Sequence, residues 1–328
     1  MKSIDSYWYS KNRISSILTP LSWLFCAIVY IRKLFFKLRL ISSYRSELPI
    51  IVVGNITVGG TGKTPMVIWL AKQLIEAGYK PGIISRGYGG HASHWPQQVR
   101  PDSDPYVVGD EPLLIAQRTG CPMAVGPKRV DAAHALKEFT DCDVLISDDG
   151  MQHYRLRRDM EICIIDGKRR FGNGLCLPAG PLREKPGRLN SVDFIVTNSA
   201  EAEEGENSMQ LVGGIIKQFP GGSDVESLTE WKGRRVHAVA GIGNPQRFFD
   251  ALRSQGLDVI EHGYSDHYHY TQHELEFYDS LPVIMTEKDA VKYRRFAGPR
   301  HWYYPVDAQL DDGFAAQILE KLKVLKDG

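Results

Sequence analysis

Pro49-Ile50-Ile51-Val52-Val53-Gly54, followed by Gly59-Gly60-Thr61-Gly62-Lys63-Thr64 and then by the helical periodicity of Met66–Ala77, is the stretch that decides the fold. The first piece is a continuous apolar run, which suits a strand buried on both faces of a parallel sheet. Gly59, Gly60 and Gly62 let backbone N–H groups close around phosphate oxygens, and the following helix turns the positive end of its dipole toward them. Lys63 is then placed to reach the β- and γ-phosphates, and the Thr64 hydroxyl to ligand Mg²⁺. The pattern G-x-x-x-x-G-K-[ST] asks for Gly at position 57, where this chain has Thr57. The strand–loop–helix context still favours a phosphate-binding loop over a plain Gly-rich turn.

Outward from this stretch the chain alternates. Pro81–Ser85, Asp143–Ser147 and Glu161–Asp166 are apolar strand candidates, and Glu111–Gln117 and Arg129–Phe139 have helical periodicity. Such alternation predicts an α/β fold: a doubly wound P-loop NTPase sheet with right-handed crossovers. Residues 167–190 break the pattern with Gly, Pro and basic residues and are expected to be a hinge. The expected division is therefore a P-loop domain over 46–166, the hinge, and a second, smaller α/β domain over 191–311. Its alternation starts at Phe194–Thr197 and continues through Val236–Ala240, Pro282–Thr286 and Trp302–Val306. The helix over 312–328 is expected to pack back on the first domain, and Glu201–Asn207 to be a solvated acidic loop.

A length of 328 residues suits two domains of this kind. With 40 basic and 39 acidic side chains there is no overall charge to attract nucleic acid. Five cysteines without a C-x-x-C pair read as small apolar residues in a reducing compartment. Residues 1–45 are different, with Lys2, Lys11, Arg13, Arg32, Lys33, Lys37, Arg39 and Arg45 against Asp5 alone. The uncharged run Ile17–Ile31 is short for a membrane-spanning helix. Leu24, Ala27, Ile28, Ile31, Leu34, Phe35 and Leu38 share one helical face, with basic residues on the flanks and back. That amphipathic face either packs on the protein's own core or lies in the interface of an anionic bilayer.

Further candidate residues are spread along the chain. Asp143–Gly150 is an apolar strand ending in Asp148 and Asp149, the placement a P-loop site uses to hold Mg²⁺. Asp110 and Glu111 precede a helix, where capping is the simpler role. Ser85-Arg86-Gly87-Tyr88-Gly89-Gly90 leaves a strand end on the side where α/β sheets bind ligands. Tyr264–Tyr270 is dense in titratable groups. His267, His269 and His273 make a poor zinc pattern, so a base or base-orienting role for a histidine is preferred. Gly241-Ile242-Gly243-Asn244-Pro245 lacks the third glycine of a dinucleotide fingerprint and suits a turn with Asn244 capping a helix that begins at Pro245. Thr286-Glu287-Lys288-Asp289 has the wrong order for a guanine-reading signature.

Together these motifs resemble one family, the tetraacyldisaccharide 4′-kinases that phosphorylate the lipid A precursor. The resemblance runs over almost the whole chain. It is carried by the basic apolar arm, G-N-I-T-V-G-G-T-G-K-T-P at 54–65, S-R-G-Y-G-G at 85–90, V-G-D-E-P at 108–112 and D-D-G-M-Q-H at 148–153. P-A-G-P-L-R-E at 178–184, A-G-I-G-N-P at 240–245, D-H-Y at 266–268 and T-E-K-D-A-V-K at 286–292 continue it. The family shares the non-Gly residue at the start of the loop. The resemblance implies transfer from ATP, with Mg²⁺, to the 4′-hydroxyl of tetraacyldisaccharide 1-phosphate, giving lipid IV-A. It implies a peripheral, monotopic location at the cytoplasmic face of the bacterial inner membrane, with a glycolipid partner and neither nucleic acid nor an obligate protein partner.

Roles follow from the matching positions. Thr57, Gly59, Gly60, Thr61, Gly62, Lys63, Thr64 and Gln152 are implied to bind the nucleotide. Thr64, Asp148 and Asp149, with Glu111 nearby, are implied to hold the metal. Asp110 is the implied base, His267 the group from the second domain that orients or relays, and Lys63 a catalytic cation. Arg86, Tyr88, Arg183 and Glu184 are implied to line the substrate site. Arg169, Arg170, Arg183, Lys185 and Arg188 either meet anionic head groups or form a solvated hinge. Two other classes share a P-loop: an NTPase that loads metal or drives a partner, and a membrane-tethered nucleotide sensor. The first would hydrolyse nucleotide without glycolipid, and the second would bind it without turnover.

Overall fold

The computed structural model describes residues 5–10, 12–219 and 225–327, so Lys2 and Lys11 of the basic arm and Gly328 lie outside the described residues. The chain opens with α1 (Asp5–Trp8) and the long α2 (Arg13–Lys37). It then runs β1 (Ile50–Gly54), α3 (Lys63–Glu76), β2 (Pro81–Ser85), β3 (Gln97–Val99), α4 (Pro105–Val108), α5 (Asp110–Thr119) and β4 (Met123–Val125). Next come α6 (Arg129–Phe139), β5 (Val144–Asp148), β6 (Met160–Asp166), β7 (Phe194–Asn198), β8 (Asn207–Val212), β9 (Ile215–Gln218) and β10 (Val225–Ser227). The chain finishes with β11 (Arg235–Ala240), α7 (Pro245–Ser254), β12 (Asp258–Gly263), β13 (Val283–Thr286), α8 (Glu287–Tyr293), β14 (His301–Tyr304), β15 (Asp307–Leu310) and α9 (Phe314–Asp327).

Two sheets result. The larger has the order β15-β8-β7-β6-β1-β5-β2-β4-β3, and the smaller β10-β9-β14-β13-β11-β12. β1 sits between β5 and β6, parallel to both, with Ile50 opposite Leu145 and Ile51 opposite Met160. Every residue of β1, β2, β5 and β6 is buried. That is why their sequences run apolar without alternation: α3 and α5 cover one face, and α6 and α2 the other. Phe314, Ile318 and Leu322 of α9 are fully buried in the core of the larger sheet, so the last helix belongs to that body.

The expected boundary is corrected. β7 pairs in parallel with β6, Ile162 opposite Phe194, and β8 and β15 follow in the same larger sheet. Residues 167–190 are no hinge between sheets. They fold under the phosphate-binding loop, where the Val58 N–H donates to Pro181 O at 2.8 Å and the Arg183 N–H to Ile56 O at 2.7 Å. The chain passes between the sheets at two other places, Gly213-Gly214 and Pro305-Val306. The strands flanking both are antiparallel to each other, Val212 opposite Asp307 and Lys217 opposite Tyr303.

α2 settles which way the arm's apolar face points. The helix touches the body at three points along its length. Asn173 Nδ2 donates to Ser15 Oγ at 3.2 Å, Phe25 and Cys26 pack on the core, and Phe36 lies 6.0 Å from Tyr154, centroid to centroid. Its buried residues are Ser15 and Ser22, at 5% and 1% exposure, while Ile17 is 75% and Trp23 66% exposed. Ile14, Leu21, Leu24, Ile28, Ile31, Phe35 and Leu38 are exposed as well, so most of the face identified by periodicity turns outward. At 25 residues the helix is long and apolar enough to cross a bilayer, so the expectation that it is too short is corrected. Five cysteines are free, four of them buried.

The paired crossings set a strict limit on side-chain size. A Cβ at Gly213 would lie 2.2 Å from Tyr304 Oη and 2.3 Å from its Cζ. Tyr304 is itself buried in the core of the smaller sheet and has little room to withdraw. Gly213→Ala is therefore expected to lower stability by about 1–3 kcal/mol, the usual cost of overpacking, measured as a shift in the urea midpoint at unchanged m-value.

Candidate active site

The phosphate-binding loop joins β1 to α3, whose first helical residue is Lys63 rather than Met66. Gly62 takes the left-handed conformation at φ 98°, and a Cβ there would strike Asn198 Nδ2 at 2.6 Å, so the turn admits only glycine. Asn198, at the end of β7, donates to Thr61 O at 2.9 Å, and Asn55 Nδ2 donates to Thr61 Oγ1 at 3.1 Å. Arg169 reaches Gly60 O and is held by Asp166. Thr57 is buried and its backbone pairs with Leu182, which makes it part of the loop's footing.

β5 delivers the two aspartates to the same end of the sheet. Asp148 accepts from Ser85 Oγ at 2.9 Å and is fully buried. Burial and the neighbouring Glu111 and Asp149 carboxylates push its pKa up to about 7, against the pull of Lys63 and Ser85. Asp149 sits at φ 46° and turns the other way. It lies 3.7 Å from Lys63 Nζ and accepts from Arg183 at 3.0 Å on both oxygens. Burial would raise its pKa, but Lys63 and Arg183 outweigh burial and hold it low.

On the opposite side α5 carries Asp110, 5% exposed, and Glu111. His267, from the loop after β12, points Nδ1 at Asp110 with 3.1 Å to each oxygen, and its backbone sits at φ 58°. Burial would raise the Asp110 carboxyl. The His267 hydrogen bond and the Lys288 and Lys292 ammonium groups bring it down to about 2 instead. The same bond raises the His267 pKa, against burial and the Lys288 charge. Tyr88, exposed, stands 5.0 Å from the His267 ring. The smaller sheet also abuts the loop directly: a Cβ at Gly243 would lie 3.5 Å from Gly60 N. Asn244 precedes α7, with Pro245 as first helical residue, but its side chain makes no capping bond.

Other expected residues fall elsewhere. Gln152 donates to Asn55 O and to Glu184 at 3.0 Å each, bracing the loop's footing. Glu184 was expected at a substrate surface; it is buried, accepting from Gln152 and from Tyr154 at 2.5 Å, with Arg188 Nε 3.6 Å away. Arg86 is exposed. The basic segment is neither solvated nor free: Arg169 binds Asp166, Arg170 binds Glu206, Arg183 binds Asp149 and Arg188 binds Glu161, leaving Lys185 exposed. Glu206, in the stretch expected to be a solvated acidic loop, is half-buried, with its carboxylate turned in to Arg170. His267, His269 and His273 diverge, to Asp110, to the Tyr106 ring and to Glu276 respectively.

A phosphate-binding loop that faces, across two sheets, an Asp–His pair able to take a hydroxyl proton defines a P-loop kinase. The comparisons with known proteins agree. A model of the LpxK family, the tetraacyldisaccharide-1-P 4′-kinases, matches residues 14–323. A tetraacyldisaccharide 4′-kinase of Nitrosococcus oceani is 52% identical over 317 residues, covering 97% of this chain and 93% of its own. That of Methylobacillus flagellatus is 50% identical over 320 residues, covering 97% and 95%. A crystal structure of LpxK from Aquifex aeolicus in complex with ATP superposes with a TM-score of 0.79 at 25% identity, covering 95% of this chain and 98% of that one. The chain belongs to the tetraacyldisaccharide 4′-kinase family, whose reaction is a step of lipid A biosynthesis.

Sequence reasoning passed over Lys288, Asp266, Asn198 and Arg129. The signal for Lys288 was its place in T-E-K-D-A-V-K, a charge-dense helix start; Asn198 and Arg129 carried none. His153, in the D-D-G-M-Q-H run, is held near 4 by burial and by Arg129, Arg158, Arg32 and Arg155. Its folded pKa lies below the unfolded value of about 6.5, so the unfolded chain binds the proton first. The stability it contributes is complete above pH 6.5 and is lost as pH falls toward 4. His153→Asn is expected to flatten the fall of the unfolding free energy across that window by about 1 kcal/mol per pH unit, allowing for the ring's partial exposure, as read from unfolding curves recorded from pH 7 to 4.

Proposed function

We propose that this chain transfers the γ-phosphoryl group of ATP to the 4′-hydroxyl of tetraacyldisaccharide 1-phosphate at the surface of the inner membrane's cytoplasmic leaflet. The observation that carries the reading is the contact of His267 with Asp110, which puts a proton-accepting pair from two different sheets opposite one phosphate-binding loop. ATP is cradled by the backbone of Gly59 to Thr64, with Lys63 on the β- and γ-phosphates. Gly60 supports this, since a Cβ there would meet nothing within 4 Å. The crowding that pushes Asp148 up to about 7 suits a divalent cation, which would relieve it. Among the described residues no three His, Cys, Asp or Glu side chains form a ready cage. Mg²⁺ needs none, because it takes most of its ligands from phosphate and water. Thr64 and Asp148 or Asp149 would hold it, with Glu111 near its water shell, and it would neutralise charge on the transferring phosphate.

The chain's own groups do the rest. Asp110 is buried and fixes Nδ1 of His267, which leaves Nε2, 3.8 Å from Asp266 Oδ2, as the ring nitrogen to meet the hydroxyl. The pair thus takes the hydroxyl proton as a unit, with His267 as the relay. Arg183 keeps Asp149 charged and oriented. Tyr88 stands beside His267 and, with the exposed Arg86 of the same loop, is assigned to the sugar. The two crossings at 213–214 and 305–306 are the assigned hinge, by which the smaller body closes over the nucleotide and excludes water. The outward apolar face of α2, pinned to the body at three points, supports a helix lying in the membrane interface and not across it.

Transfer of labelled γ-phosphate to tetraacyldisaccharide 1-phosphate in mixed micelles tests the reading. Lys63→Ala and Asp110→Ala are each expected to lower kcat by 10²–10⁴-fold, the range of a lost positioned base or phosphate cation. Loss of ATP without labelled lipid would overturn the proposal. The arm is tested by flotation on anionic vesicles: replacing Ile17, Leu21, Leu24 and Ile28 by Gln is expected to release the protein while leaving turnover of micellar substrate within about threefold. Undiminished flotation would remove α2 from the membrane.

A further inference from the structure

α8 lies at the seam between the two bodies and meets α5 along its length. Its residues make a set of ion pairs that the reaction as proposed does not use. Glu287 accepts from Arg118 of α5 at 2.6 Å. Lys288 Nζ lies 2.8 Å from Glu111 Oε1, 3.0 Å from Asp266 Oδ1 and 3.9 Å from Asp110 Oδ2. Lys292 Nζ lies 2.6 Å from Asp289 and 4.0 Å from Asp110 Oδ2. Asp289, fully buried, accepts from the Gly241 N–H and the Tyr270 hydroxyl at 2.9 and 3.0 Å, which anchors the loop that abuts Gly60.

Lys288 differs from the others in what it joins. Asp266 is the residue before His267, and its Oδ1 also accepts the His267 N–H at 3.1 Å. One ammonium group therefore grips the loop that presents the imidazole and, in the other body, the helix start that presents Asp110. Its side chain is 14% exposed, and of its two contacts the one to Glu111 is the more shielded from water and salt, the one to Asp266 lying at the surface. Burial opposes its charge, but Glu111, Asp110 and Asp266 outweigh burial and keep it an ammonium. Three hydrogen-bond donors on a flexible stem suit a cation that must reach carboxylates on two elements. The left-handed backbone of His267 is a costly conformation that persists only where its surroundings fix it, and Asp266–Lys288 is the contact that does so from the side facing α5.

We propose that Lys288 is the positioning residue of the phosphoryl-transfer site, aligning His267 on Asp110 by bridging Asp266 of one body to Glu111 of the other. The inference rests on the reading of Asp110 and His267 as the proton-accepting pair. It assigns to Lys288 no contact with nucleotide or sugar. Removing the bridge leaves both substrates' binding groups in place and loosens only the pair that must meet the hydroxyl. A misplacement of this size at a reacting centre costs rate rather than affinity.

A mutant cycle tests it on the full-length protein in mixed micelles. Lys288→Met keeps length and removes charge, Lys288→Arg keeps charge, and each is made alone and together with His267→Ala. Lys288→Met is expected to lower kcat by about 10²-fold with the KM for ATP and for glycolipid within threefold, and Lys288→Arg to recover most of the loss. Because Lys288 acts through His267, the double variant Lys288→Met/His267→Ala is expected to be no slower than His267→Ala alone. Thermal melts of each variant keep a loss of folding separate from a loss of alignment. Unchanged kcat in Lys288→Met overturns the proposal. So does a raised KM for ATP, or a loss that multiplies with that of His267→Ala, since either would put Lys288 on the phosphates. A His267→Ala variant as active as wild type would instead bring down the proton-accepting pair itself, and this inference with it.

Discussion

Asp148, buried at the end of β5 and repelled by Glu111 and Asp149, sets the constraint around which the cations of the site are arranged. A carboxylate shielded from water stays ionised only with a cation or hydrogen-bond donors beside it. The chain answers each carboxylate differently. Lys63 and Arg183 take Asp149, while His267, Lys288 and Lys292 take Asp110, and Lys288 also takes Glu111. Among the described residues Asp148 has Ser85 as its one side-chain hydrogen-bond partner, and burial with the neighbouring Glu111 and Asp149 pushes its pKa up to about 7. The uneven result is informative: one carboxylate is left in electrostatic deficit at the end of β5, next to the loop built to receive phosphate.

The supply of those cations explains why two sheets are needed. Lys63 and Arg183 come from the larger body, but His267, Lys288 and Lys292 come from the smaller one. The larger body alone would present Asp110 as an acid with the Glu111 N–H but no cation beside it. Joining the bodies by two short crossings, Gly213-Gly214 and Pro305-Val306, keeps them in register while concentrating the backbone freedom at one edge. The return of α9 to the core of the larger sheet then ties both ends of the chain to one body, so the smaller one behaves as an insertion.

Much of the larger sheet was legible because burial on both faces leaves a plain trace. β1, β2 and β5 are unbroken apolar runs, and the loop after β1 carries glycines that nothing but a tight turn explains. The two aspartates after β5 were legible for the same reason, since acid at the end of an apolar strand is costly unless used. Sheet membership was not: Phe194–Asn198 has the pattern of a strand, but no periodicity says which neighbour it pairs with. β6 claims it through a long irregular crossover that composition alone presents as a hinge. The basic run from Arg169 to Arg188 misled in the same way. Its partners, Asp149, Glu161, Asp166 and Glu206, come from other strands and loops, and only the assembled fold turns a basic run into internal ion pairs. Lys288 was hidden because its neighbours were weighed against a nucleobase signature, whereas its work is done by the helix face it shares with Glu287 and Lys292.

α2 closes the argument from the opposite direction. A surface helix of a soluble domain buries its apolar stripe and exposes its polar one. α2 largely does the reverse: Ser15 and Ser22 are its buried residues, with Phe25, Cys26 and Phe36 partly packed on the body, while Ile17, Leu21, Trp23, Leu24, Ile28 and Ile31 face outward. Small side chains let the helix backbone lie close to the body, which spends little apolar area on the contact and saves the large side chains for another solvent. Periodicity could identify the stripe but not its direction, because direction depends on what the opposite face meets. Once that face is seen to rest on the body, the outward stripe has no protein partner among the described residues. The acylated acceptor of this family gives it a physical reason, since a substrate with acyl chains and an exposed apolar stripe call for the same kind of apolar surroundings.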